Sequence, residues 1–91
     1  MKIARKLFIS GLVQGVGYRY FTQRAAAKHQ VKGFVRNLED GRVETYVEGA
    51  EECVTAFQED LWAGPPMSRV EQIEEIVLDP EGAFSNFIIE R

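Results

Sequence analysis

The sequence predicts a two-layer α/β sandwich, with two helices on one face of a mostly antiparallel sheet. Three observations carry that expectation. Apolar patterning switches between strand-like and helix-like periods in the order β-α-β-β-α-β, Asp40-Gly41 marks a tight reversal, and Gly64-Pro65-Pro66 ends the second helical run. The 91 residues are expected to form one domain, 1–91. A chain this short buries only about 60 to 65% of its unfolded surface and cannot support two cores. Its 45% apolar content, with six phenylalanines, suffices for one.

Ile3 to Val13 reads as the first strand; Leu7-Phe8-Ile9 is apolar on both faces, which suits a central position. Gly11 to Arg19 is a glycine-rich turn, and a helix is expected from Tyr18 to about Gln30. Its inner face carries Phe21, Ala25, Ala26 and His29, while Gln23, Arg24 and Lys28 face solvent. Val31 to Leu38 is the second strand. After the Asp40-Gly41 hairpin, Arg42 to Glu48 alternates Val43, Thr45 and Val47 against Glu44, Tyr46 and Glu48. The second helix spans about Ala50 to Ala63, with an apolar stripe of Ala50, Val54, Phe57 and Leu61 and with Glu51 and Glu52 at its positive end. Arg69 to Leu78 is a strand of mixed polarity, Asp79 to Gly82 a turn, and Phe84 to Arg91 a last short strand near a sheet edge. This order suggests the ferredoxin-like sandwich, in which right-handed crossovers bring the first and third strands together at the centre. That fold carries enzymes, RNA binders and regulatory modules, so function has to come from sites.

Several classes are disfavoured. The net charge of -3, from 11 basic and 14 acidic side chains, argues against affinity built on neutralising many phosphates, so no nucleic-acid partner is expected. Phe8 and Tyr46 are the only candidate base platforms. Cys53 is the sole cysteine and His29 the sole histidine, in different expected helices, so no disulfide, thiol catalyst or metal-ligand spacing is apparent. No apolar run is long enough to span a membrane and no export signal opens the chain, so the cytoplasm is the expected compartment.

The stretch Gly11-Leu12-Val13-Gln14-Gly15-Val16-Gly17-Tyr18-Arg19 is the first candidate for chemistry. Its glycines permit positive φ, so successive amides can converge on an anion where the helix opens, and Arg19 adds a guanidinium. It matches neither a P-loop nor GxGxxG. Tyr18 and Tyr20 flank Arg19 and either shape a substrate mouth or pack on the sheet. Asn37, late in the second strand, either bonds its own backbone or orients a water. On residues alone, an anion-binding module and an enzyme both stay open.

GLVQGVGYR at Gly11 to Arg19 and GFVRN at Gly33 to Asn37 resemble the two signature segments of the acylphosphatase family, at the right separation. The resemblance runs on through Asp40 to Glu44, Glu48-Gly49, the Gly-Pro-Pro break and the closing FSNFIIER. It implies a ferredoxin-like domain that hydrolyses small acyl phosphates to a carboxylate and inorganic phosphate, without metal or organic cofactor. It also implies that Arg19 and the amides of Gln14, Gly15, Val16, Gly17 and Tyr18 bind the substrate phosphate, and that Arg19 and Asn37 are catalytic. A monomer is expected. Such domains also occur inside larger carbamoyl-transfer proteins, but this chain ends with the domain, which favours a free-standing enzyme. One position departs from the pattern. Gln30 stands where many relatives carry glycine, so either a different helix exit or modest strain is expected there.

Overall fold

A computed structural model describes all 91 residues, Met1–Arg91. The elements are β1 (Lys2–Leu12), α1 (Tyr18–His29), β2 (Lys32–Asn37), β3 (Val43–Ala50), α2 (Glu51–Ala63), β4 (Arg69–Leu78) and β5 (Phe87–Ile89). They form the expected ferredoxin-like sandwich: a five-stranded sheet in the order β4-β1-β3-β2-β5, with both helices on one face. Every pairing is antiparallel except β2 with β5, which is parallel. β1 and β3 lie side by side at the centre, with Leu7 opposite Thr45 and Ile9 opposite Val43.

The core lies between the sheet and the helices. Leu7, Ile9, Val35, Val43 and Val47 from the strands meet Val54, Phe57 and Leu61 of α2 and Ala25 and Ala26 of α1. Burying each of the larger side chains contributes about 1.5 to 3 kcal/mol, the main force fixing the helices on this face. The stripe predicted on α2 is therefore its inner face, although Ala50 belongs to β3. The small Ala25 and Ala26 let α1 approach the sheet closely. His29, at the end of α1, bonds Asp60 of α2 across 2.8 Å.

Two expectations need correction. The alternation read in β3 does not separate a buried from an exposed face, since every residue from Val43 to Gly49 is buried. On the second face, Lys6 and Arg36 hold the Glu44 carboxylate at 3.3 and 2.6 Å, and Tyr46 and Glu48 are covered by the segment after β4, which crosses that face as a strap. Phe84 packs on Phe34 and Tyr46, at ring separations of 5.9 and 5.5 Å. The Glu81 and Gly82 amides donate to the buried Glu48 carboxylate at 3.1 and 3.2 Å. Residues 84–86 are thus strap rather than strand, and only Phe87–Ile89 pair with β2. Tyr46, offered as a base platform, is 3% exposed beneath this cover.

The second correction concerns Gly11. It sits at a register shift between β1 and β4, where a Cβ would collide with the backbone of Arg69. Its glycine serves a close strand approach, upstream of the turn that opens α1.

Candidate active site

The turn between β1 and α1 is shaped by Gly15 (φ 77°) and Gly17 (φ 79°), both in the left-handed region that a side chain disfavours. Gly17 is the N-cap of α1: its carbonyl accepts the first helical bond, from the Phe21 amide at 3.0 Å. It has no side chain to cap the helix, and no acidic residue occupies the first turn. The first amides of α1 are therefore left without an intrahelical or side-chain acceptor, at the positive end of the helix dipole. Such an end favours an anion.

Three side chains hold this turn. Gln14 reaches away from it, and its Nε2 donates to the carbonyls of Leu38 (2.8 Å) and Arg42 (2.9 Å). That clamp joins the turn to the β2–β3 hairpin, whose Asp40 carboxylate is held below its usual range by bonds from the Arg42 amide and guanidinium. Tyr18 is buried, and its hydroxyl donates to the Leu61 carbonyl of α2 at 2.7 Å. Burial pushes that hydroxyl's pKa well above its ordinary value of 10.0. Thr22 Oγ1 then donates back to the Tyr18 carbonyl at 2.8 Å.

A cavity of about 280 Å³ opens over the turn. It is lined by Val13, Gln14, Gly15, Gly17, Tyr18, Arg19 and Tyr20, by Asn37 of β2, and by Ile89 and Arg91 from the end of the chain. Of the residues singled out from sequence, Gln14, Gly15, Gly17, Tyr18, Arg19 and Asn37 meet here. Val16 does not line it; its side chain packs, partly buried, against the core. The half-buried Arg19 makes one long bond, from Nη1 to the Glu90 carbonyl at 3.5 Å, and pairs with no carboxylate. Asn37 Oδ1 is buried without a hydrogen-bond partner. An unpaired buried acceptor on a residue that lines the cavity costs stability unless something in the cavity donates to it.

The two tyrosines divide the readings offered for them. Tyr18 is packing, whereas Tyr20 is 60% exposed at the cavity rim under the Arg24 guanidinium. Arg91 and Ile89 escaped sequence reasoning. Only the parallel docking of β5 beside β2 brings them to the cavity, and the Val35 carbonyl receiving the Glu90 amide at 2.8 Å fixes that register.

The acylphosphatase family model matches residues 5–89. An acylphosphatase from Actinobacillus succinogenes is 40% identical over 89 residues, spanning 98% of this chain and 99% of its own. The crystal structure of acylphosphatase from Bacillus subtilis superposes with a TM-score of 0.94 at 36% identity, covering 98% of this chain and 99% of that one. The crystal structure of HypF from T. kodakarensis contains a similar unit, with a TM-score of 0.86 and 40% identity, covering 98% of this chain but 12% of that protein.

Proposed function

Because this chain belongs to the acylphosphatase family, we propose that it hydrolyses small acyl phosphates to a carboxylate and inorganic phosphate, using Arg19 and Asn37. One observation carries the reading. A single cavity gathers the uncapped start of α1, the otherwise weakly engaged Arg19 and an Asn37 oxygen with no partner.

The phosphate sits on the turn from Gln14 to Tyr18, with Arg19 meeting charge on its equatorial oxygens. Asn37 Oδ1 accepts from a water and turns the lone pair of that water toward phosphorus. The water oxygen forms the new bond to phosphorus while the bond to the acyl oxygen breaks in line, and the carboxylate departs with the electron pair. A phosphate oxygen takes the water proton. A carboxylate leaves readily without protonation, so neither a strong general acid nor a metal is required, and catalysis rests on positioning and charge. No phosphoenzyme forms on this route.

The test is phosphate release from a small aryl acyl phosphate in the presence of a chelator, comparing wild type, Arg19→Ala and Asn37→Ala, with each fold checked by circular dichroism. Turnover by the wild type, lost in both folded variants, is expected. Binding of inorganic phosphate without any turnover would make the chain an anion-binding relative. A phosphorylated side chain trapped during turnover would overturn the direct attack by water.

A further inference from the structure

A second hollow adjoins the cradle cavity. It is a groove of about 830 Å³ running along α1 from Gly17 to Lys28 and bounded by the end of α2, much larger than the 280 Å³ cavity beside it. Gly17 and Tyr20 line both. No residue of β2 or β5 lines the groove, and none of α2 lines the cavity. Asn37 thus lines the cavity and not the groove, while Gly17 and Tyr20 are the rim common to both.

We propose that this groove receives the acyl half of the substrate, and that it selects acyl phosphates whose chain is long enough to pass Tyr20. The proposal rests on the phosphate assignment above and deepens it. In-line displacement sends the leaving carboxylate away from the water, hence away from Asn37, and the groove is the hollow that shares the cavity's rim without including Asn37. Gly17 leaves the passage open, since a Cβ built there would meet nothing within 4 Å. Val16, Phe21, Ala25, Ala63 and Pro65 then offer an apolar bed. The one carboxylate in the lining, Asp60, is already held by His29 at 2.8 Å and Lys28 at 3.6 Å, so it presents little free negative charge to an acyl chain. The exposed Tyr20 ring, with Arg24 5.7 Å from its centre, forms the sill over which the chain bends. The remaining hollow, about 510 Å³ beside Gln23 and Asn86, shares no residue with the cradle cavity and is not connected to it in this way.

The test compares kcat/KM for acetyl, butanoyl and octanoyl phosphate. A fully buried methylene adds about three- to fourfold; in an open groove a total gain of roughly tenfold or more from acetyl to octanoyl is expected, expressed in KM more than in kcat because the chain is held equally in ground and transition states. Ala63→Trp, which fills the groove from an exposed position at the end of α2, is expected to abolish that gain and leave acetyl phosphate turnover unchanged. Ala63→Asp, which sets a charge where methylenes would lie, should do the same by a different route, and Ala63→Ser should keep the gain. Wild-type turnover of acetyl phosphate with no dependence on chain length would overturn the groove and leave the hydrolase reading standing. So would a length dependence that survives both Ala63→Trp and Ala63→Asp. Failure to hydrolyse any of the three substrates would overturn the hydrolase reading and the groove together.

Discussion

Arg19 and Asn37 lie in the same cavity but are expected to fail in different ways. On the proposed mechanism Arg19→Ala removes a charge that meets both bound phosphate and the transition state, so turnover should fall roughly a hundredfold or more and inhibition by inorganic phosphate should weaken with it. Asn37→Ala should lower kcat while leaving phosphate inhibition near the wild-type value, because the lost contact is to water. Inhibition constants measured beside kcat separate the two, and a loss of phosphate binding in Asn37→Ala would move that residue into the cradle. Gln14 has a structural task that its place in a glycine-rich turn conceals. Its side-chain amide clamps the Leu38 and Arg42 carbonyls of the hairpin. Gln14→Ala should cost about 1 to 2 kcal/mol in urea unfolding, and Gln14→Glu, whose ionised carboxylate only accepts, should not restore it.

At the level of elements, the exit of α1 answers the question that Gln30 posed. The exit is left-handed despite the missing glycine: Gln30 has φ 57° and ψ 41° and is the only residue other than glycine with positive φ. Its amide bonds the Ala27 carbonyl and the Val31 amide bonds that of Ala26, the paired closure of a Schellman turn. The carbonyls are satisfied and the strain lies in the side-chain-bearing Cα. Gln30→Gly should therefore raise stability by about 0.5 to 1 kcal/mol, the relief of a left-handed residue less the added freedom of glycine when unfolded. A lower melting temperature for that variant would show that no strain is held there. The same scale marks what could be read from sequence. The α2 stripe, the Asp-Gly reversal and β4 from Arg69 to Leu78 were legible because each is a local pattern of spacing or turn chemistry; on α1 only Ala25 and Ala26 of the expected face are buried, beside Tyr18 and Thr22, while Phe21 and His29 are partly covered. The glycine turn, Arg19 and Asn37 were legible for the same reason, being carried by two short segments. Illegible were the strap over Tyr46 and Glu48 and the delivery of Ile89 and Arg91, because both depend on which surface an aperiodic segment crosses.

For the whole molecule, we propose that residues 1–91 unfold as one cooperative unit. The radius of gyration, 11.8 Å, matches the roughly 12 Å of a single compact domain of this length, and coincident urea transitions by tryptophan fluorescence and circular dichroism would check it. Glu48 should make that unit sensitive to acid. Burial works against its charge, but bonds from the Tyr46 hydroxyl and the Gly82 and Glu81 amides, with the nearby Lys2, outweigh it and hold its pKa below the usual 4.5. A lowered carboxylate pKa contributes stability that is present above the unfolded value and lost as pH falls through the folded one. Stability should thus drop below about pH 4.5, and the drop should shrink in Glu48→Gln. Tyr46, pushed up to about 12 by burial and by Glu48, acts at the other end. The unfolded phenol ionises first, so stability should fall from about pH 10 toward 12. The last residues of the chain also have a consequence in time. Gln14 to Tyr20 leave the ribosome early, yet Ile89 and Arg91, which complete the lining of the cavity, emerge only after β1 to β4 and both helices. A nascent or prematurely terminated chain that stops at the strap carries the cradle without its far wall, so the pocket is assembled only in chains translated to the final strand.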